Sequence, residues 1–408
     1  MARPLSPTAD PALDAAALLR RVGFFGLFAV VPVAAQISRR ATVVLAPIAV
    51  ILLVLASAID GRQRPLRGAA LRFLRAPAFL AGLLVVAWSM LSLVWTPFPG
   101  PASERLANLL GTILLAFAGY LALPDRMRSA NLYLLPLGVS AAAAVAIVVG
   151  LFDGFGADGM DGDSALERGA VLLALLAWPA VAWLRSRHRD AEALGCVVLV
   201  AVALFLSPGA TPLFALALGA LAFALVTWRQ GFGVRLAAAA AAGLVAIAPL
   251  LPFVARPAAS AVLGPLAPSV LSLKTWQRIV TTEPVRLVTG HGFETATRGR
   301  FVGMLPANAP TTILFEFWYE LGVVGALAAA FALYASIRRA GQDSALLAPG
   351  ATAAFATAFA IACVGVGLTV IWWLTSLALA VLVFVAIERG QFRSRRPKAS
   401  LLVRAPAP

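Results

Sequence analysis

Apolar stretches of 16 to 26 residues recur along this chain from Val22 to Ile387, separated for the most part by short gaps rich in arginine. A helix rises about 1.5 Å per residue and the hydrocarbon core of a bilayer is about 30 Å thick, so about 20 apolar residues make one crossing. In lipid the backbone must satisfy its own hydrogen bonds, which a helix does within one segment. Twelve stretches meet this description: 22–37, 41–59, 78–95, 106–123, 132–152, 169–184, 191–206, 211–228, 236–254, 312–337, 346–366 and 368–387. Only Gly367 parts the last two, which leaves eleven as the alternative count. The expected fold is therefore all-α, a polytopic transmembrane helix bundle. Composition agrees, because 61% of the 408 residues are hydrophobic and 12% charged, against about 45–50% and 25% in soluble domains.

The formal net charge of +15 would raise nucleic-acid binding in a soluble protein. Here the cations fall between apolar runs, where they orient a chain in its membrane, so nucleic acid is not an expected partner. With the N-terminus in the cytoplasm, 23 of the 33 Lys and Arg share the cytoplasmic side and 10 remain for the other. The acidic stretch 153–163 falls on that poorer side. This distribution predicts a multi-pass protein of a bacterial inner membrane with both termini cytoplasmic. Its parts would be a bundle of about nine spans over 1–254, a large periplasmic loop over 255–311, further spans over 312–387 and a basic cytoplasmic tail over 388–408.

The loop is far longer than an ordinary connection, and such loops are commonly functional. It contains Trp276, Phe293 and Phe301, and residues 272–280 read as a short amphipathic helix at the membrane surface. Six of the ten outer cations lie in it: Arg256, Lys274, Arg278, Arg286, Arg298 and Arg300. The others, Arg39, Arg40, Arg105 and Arg168, stand at the outer ends of spans. Positions that the positive-inside tendency depletes are here enriched, which suits an anionic ligand, since arginine matches phosphate oxygens bidentately; anionic lipid heads or local carboxylates are the plainer partners. His291 lies between two glycines and is one of two histidines. It could serve as a general base near neutrality or bond a backbone carbonyl within a turn. Glu316 and Glu320 stand four residues apart on one face of a helix, with Glu316 within reach of a loop arginine. Cys196 and Cys363 lie in apolar runs and point to neither a disulfide nor a metal site.

Several of these features together resemble the O-antigen ligase/polymerase family of bacterial membrane glycosyltransferases. Trp276, Pro284, Gly290-His291-Gly292 and Glu320-Leu321-Gly322-Val323-Val324-Gly325 match its pattern in order and approximate spacing. Glu167-Arg168-Gly169 with Trp178-Pro179, and Ser207-Pro208-Gly209-Ala210, resemble it more faintly upstream. The resemblance covers roughly residues 100–335, with specific motifs in 272–325. It implies a glycan carried on polyprenyl pyrophosphate, arginines that hold the pyrophosphate, a periplasmic histidine that activates the acceptor hydroxyl, and no cofactor or metal. Carried onto this chain, Arg105, Arg168 and Arg286 would hold pyrophosphate with Lys274 or Arg278 assisting, and His291 would be the base, with Glu316 or Glu320 orienting it or acting in its place. One departure stands out: where the family has a His-Asn pair, this chain has Thr311-Thr312. Two other functions suit the same composition, a transporter or permease component and a non-catalytic relative acting as a scaffold in envelope assembly. The paired Gly/Pro-interrupted helices that mark many secondary transporters are not evident in the sequence.

Overall fold

A computed structural model describes residues 11–61, 75–153, 165–364, 367 and 370–391. Most of the acidic stretch, Arg62, Arg64, Arg67, Arg72 and the tail cations beyond Arg389 lie outside the described residues, as do the residues flanking Gly367 at the boundary between the last two apolar stretches. Every regular element among the described residues is helical. In chain order they are α1 (Pro11–Ala34), α2 (Ala41–Ile59), α3 (Pro77–Ser92), α4 (Pro99–Ala122), α5 (Ser129–Asp153), α6 (Ala165–Ser186), α7 (Asp190–Leu206), α8 (Thr211–Trp228) and α9 (Gln230–Ala246). There follow α10 (Leu251–Leu263), α11 (Pro268–Thr282), α12 (Arg286–Thr289), α13 (Thr295–Phe301), α14 (Ile313–Asp343), α15 (Ala348–Val364) and α16 (Ile371–Gly390). Eleven of the twelve apolar stretches overlap one helix each, and 236–254 is divided between α9 and α10. Among the described residues eight helices are long and apolar enough to cross a membrane, or nine if α9 and α10 form one bent span. The protein is thus a polytopic helical bundle. α3 and α15 are shorter apolar helices.

The centre of the bundle is α6, which packs against α5, α7, α8, α15 and α16. Its sequence is apolar on every side from Gly169 to Leu184, and a helix without a polar face is one that its neighbours surround; 83% of its apolar window is buried. The one polar atom of Trp178 is satisfied in the interior, its Nε1 donating to Thr357 Oγ1 on α15 at 2.7 Å. Thr357 in turn donates to the carbonyl of Ala215 on α8 at 3.1 Å. Three helices are tied through one indole. Close approach elsewhere depends on small residues, as is usual where lipid removes any hydrophobic drive between helices. Around Gly26–Val30, α1 makes a π-helical turn, and the carbonyl of Phe28 in that turn lies directly against Gly138 of α5.

The arginines at one end of the bundle also satisfy helix ends. Arg389 Nη1 donates to the carbonyl of Leu123 at 2.6 Å, and Arg187 Nη2 donates to that of Gly390 at 3.0 Å. These carbonyls belong to last turns, which have no acceptor partner within their own helix. Arg20 and Asp60 pair at 3.0 Å between α1 and the end of α2.

Two helices break, contrary to the sequence expectation of a continuous 236–254 span and no interrupted pair. α9 turns by 65° into the segment that continues as α10. Pro249 causes this, because it has no N–H for the carbonyl of Val245; that carbonyl accepts instead from Trp318 Nε1 on α14 at 2.7 Å. α14 breaks at Gly322, whose backbone takes φ 61° and ψ −161°, a conformation open to glycine and costly for other residues. The amphipathic reading of 272–280 corresponds to the longer helix α11.

Replacing Gly138 with leucine should destabilise the bundle by about 1–3 kcal/mol, the usual cost of overpacking. A Cβ at Gly82 on α3 would meet nothing within 4 Å, so Gly82→Leu should leave the protein unchanged. Thermal unfolding of the two variants in detergent, followed by tryptophan fluorescence, checks the contrast.

Candidate functional site

The break at Gly322 turns the carbonyls of Tyr319, Glu320 and Leu321 out of the helical ladder, and a turn from the preceding segment meets them. The N–H of His291 donates to Tyr319 O at 2.8 Å and that of Gly292 to Glu320 O at 3.0 Å. Trp88 Nε1 on α3 donates to Leu321 O at 2.8 Å. This contact is possible only between glycines: a Cβ on Gly322 would come within 2.5 Å of Val288 O, and one on Gly290 would strike the carbonyl of Glu320. The end of α3 grips the same turn from the other side. Ser92 Oγ accepts from Phe293 N–H at 3.1 Å, and Thr96 Oγ1 donates to Phe293 O at 3.0 Å. Gly-His-Gly and Glu-x-Gly-x-x-Gly, distant in sequence, are two halves of one backbone joint.

Around that joint an aromatic column runs from Trp276 through Phe315 and Tyr319 to His291. The last two rings stack with centroids 4.0 Å apart and planes 12° from parallel. Both imidazole nitrogens are engaged: Nδ1 lies 3.0 Å from Tyr319 O and Nε2 lies 2.6 Å from Glu283 Oε2. His291, Glu283 and Arg286 line a small pocket with this column.

Behind the joint three carboxylates are buried, two of them beside arginines. Glu316 Oε1 pairs with Arg300 Nη2 at 3.0 Å. Glu294 is fully buried, with Arg105 Nε at 3.5 Å and Arg298 Nε at 3.9 Å. Glu320 Oε1 accepts the N–H of Ala296 at 3.0 Å, while its Oε2 is buried with no hydrogen-bond partner among the described residues. A buried charge is tolerable when it is paired, and Glu316 and Glu294 meet that condition through arginines on other elements.

Arg105 connects this interface to a cavity of about 840 Å³. Arg39 and Arg40 from the turn after α1, Arg105 near the start of α4 and Arg168 near the start of α6 all line it, with Glu167 the one carboxylate among its described lining residues. Its remaining walls come from the starts of α8 and α16, including Pro208, Gly209 and Trp372. The Arg168 guanidinium lies 5.4 Å from the centre of the Trp372 ring, a cation–π placement that orients it. Gly367 also borders the cavity, and a Cβ there would come within 3.2 Å of Glu316 Oε1, so the Glu316–Arg300 pair stands directly behind the wall. The cavity lies at the opposite end of the bundle from Arg187 and Arg389.

The site residues expected from sequence therefore divide into four places. Arg105 and Arg168 share the large cavity; His291 and Arg286 share the small pocket; Glu316 and Glu320 are buried between α14 and the docked segment. Lys274 and Arg278 are exposed on α11, away from the large cavity. Arg300 is the loop arginine that Glu316 meets. Sequence reasoning did not put Arg39, Arg40, Glu167 or Glu294 among the site residues. The first two carried a signal as outer-side cations of the expected topology, whereas nothing local marks Glu294, a buried carboxylate in a left-handed conformation at φ 66°.

Trp88→Phe leaves the Leu321 carbonyl without its donor, a loss of about 1–3 kcal/mol for a buried group, and Gly322→Ala forces a Cβ against Val288 and Gly290. Both should speed amide hydrogen exchange across residues 286–302 in the purified protein while leaving α6 protected. No protein-family model matches this chain, and no curated protein matches it.

Proposed function

We propose that the arginine cavity binds the pyrophosphate of a polyprenyl-linked glycan, and that the protein transfers this glycan to an acceptor as an O-antigen ligase-like glycosyltransferase. The observation that carries the reading is the convergence of four arginines from three separate elements on one cavity whose described lining holds one glutamate. Cations are costly at a membrane-embedded site unless an anion or a function holds them there, and a diphosphate supplies both charge and bidentate geometry. On this reading the twelve apolar helices are twelve spans, both termini are cytoplasmic, and the cavity and the docked segment face the periplasm of a bacterial inner membrane.

In the transfer, an acceptor hydroxyl oxygen attacks the anomeric carbon. The bond from that carbon to the diphosphate oxygen breaks, and its electron pair leaves with the diphosphate, whose charge Arg39, Arg40, Arg105 and Arg168 stabilise. The hydroxyl proton goes to a base. Glu167 stands at the cavity and takes this role; His291, which the family resemblance puts there, is held by Glu283 and the Tyr319 carbonyl in a separate pocket. Glu316 and Glu294 act through their arginines, as positioning residues. The chemistry calls for no nucleotide sugar or metal.

Purified protein in lipid nanodiscs should bind a polyprenyl diphosphate and transfer glycan from its diphosphate-linked form. Arg105→Ala and Arg168→Ala should each weaken binding about tenfold or more, in keeping with about 1.5–3 kcal/mol for a hydrogen bond to a charged group. Glu167→Gln should abolish transfer and keep binding. Loss of transfer in His291→Ala with Glu167→Gln unaffected would return the base to His291, and unchanged binding in both arginine variants would sink the proposal.

A transporter is the second reading, favoured by the two broken helices that meet through Trp318 and Val245. Saturable uptake of a small solute without binding of polyprenyl diphosphate would select it.

A further inference from the structure

We infer that a second basic cavity, between the start of α9 and the end of α14, binds the phosphate of an anionic phospholipid from the leaflet at that end of the bundle. The inference rests on the helical bundle alone and is independent of the diphosphate reading of the arginine cavity. The two cavities lie at opposite ends: α8 runs from Thr211, which lines the first, to Trp228, and α9 starts from there. The second cavity has a volume of about 430 Å³. Gln230 and Arg235 of α9 and Arg338 and Gln342 of α14 supply its polar walls, and its described lining holds no carboxylate.

Three observations point to a lipid phosphate. First, both guanidiniums are oriented and still have donors to give. Arg235 Nε donates to the carbonyl of Gly231, one turn back on its own helix, at 2.8 Å. Arg338 Nη1 donates to the Tyr334 hydroxyl at 3.1 Å, and its guanidinium carbon lies 5.7 Å from the centre of that ring. Among the described residues neither arginine pairs with a carboxylate, and the Nη groups of Arg235 and Nη2 of Arg338 have no hydrogen-bond partner. Two such forks on facing walls suit the oxygens of one phosphate group. The start of α9 has no side-chain cap, so the positive end of its dipole adds to the same field. Second, the floor of the cavity is fixed. Gln230 Nε2 donates to the carbonyl of Gly341 in the last turn of α14 at 3.0 Å, and a Cβ on Gly341 would come within 2.5 Å of Val234. The helices already touch beneath the arginines, so the space above them is not one that closer packing would close. Third, the surroundings set the depth. Trp228 at the end of α8 is 73% exposed and Phe232 in the first turn of α9 is 53% exposed. Exposed tryptophan at the end of a span marks the membrane–water interface, where lipid phosphates lie, and basic pockets between spans take anionic head groups. Soluble phosphate offers the same oxygens, but these aromatic flanks favour a phosphate that carries acyl chains.

Native mass spectrometry of the full chain in detergent, titrated with phosphatidylglycerol, phosphatidylcholine and inorganic phosphate, tests the inference. Wild-type protein should retain phosphatidylglycerol about tenfold or more tightly than phosphatidylcholine, whose choline cation the two arginines repel. Arg235→Gln and Arg338→Gln should each weaken phosphatidylglycerol about fivefold, the contribution of one basic residue at an anionic membrane surface. Arg128 is an exposed cation beside the start of α5, at the same end of the bundle and outside the cavity lining, and Arg128→Gln should leave retention unchanged. Phosphatidylglycerol with a photoreactive head group should cross-link to residues 230–235 and 338–342 of the wild-type chain, a readout that stands even if a variant does not fold. Equal retention of the two lipids, the same loss in Arg128→Gln as in the cavity variants, or cross-linking elsewhere would overturn the inference. Displacement of phosphatidylglycerol by an equal concentration of inorganic phosphate would also overturn it and assign the cavity to a soluble phosphate.

Discussion

A backbone carbonyl without a donor costs several kcal/mol in hydrocarbon, and α14 exposes three of them where Gly322 breaks it. The answer to that cost organises this half of the molecule. His291 and Gly292 supply two donors from the docked turn and Trp88 supplies the third from α3, so the segment between α9 and α14 is held to the bundle through its own backbone. The same constraint acts at Pro249, where Trp318 takes the carbonyl that proline leaves. One helix, α14, therefore both receives the turn and braces the bend of α9. Ser92 and Thr96 complete the joint from α3, and Phe293 is buried as a consequence.

Once the turn is seated, the charges behind it have little freedom. Glu294 faces Arg105 and Arg298, Glu316 faces Arg300, and Arg105 reaches from this interface to the wall of the large cavity. The docked segment thus helps to position a cavity arginine without itself supplying one. At the opposite end of the bundle arginines do a different job, giving Arg187 and Arg389 to the terminal carbonyls of neighbouring helices. The same residue type seals helix ends at one end of the bundle and concentrates positive charge at the other.

Much of this organisation was readable in the amino-acid order. The apolar stretches and arginine-rich gaps marked the apolar helices, eight or nine of which are long enough to cross a membrane among the described residues, because bilayer thickness and the need to satisfy the backbone favour such segments. Arg105 and Arg168 were legible as cations at the outer span ends of the expected topology, and the glycines of 290–292 and 322 as members of the motifs that carry the family resemblance. The 254 boundary was not readable: residues 236–254 are apolar throughout, and only the bend at Pro249 separates α9 from α10. Nor was the role of His291, since an imidazole between glycines suits a base or a latch equally until its partners, Glu283 and the Tyr319 carbonyl, are seen.

What the sequence determined by itself is a polytopic helical bundle with misplaced positive charge, for hydropathy and charge act through each residue's transfer from water and need no knowledge of neighbours. What the tertiary structure decided is company. It put Arg39 and Arg40 with Arg105 and Arg168 around one cavity and put His291 in another pocket. Those groupings depend on which helices pack together and where two of them break, and residues as far apart as Arg39 and Trp372 become neighbours only through that packing.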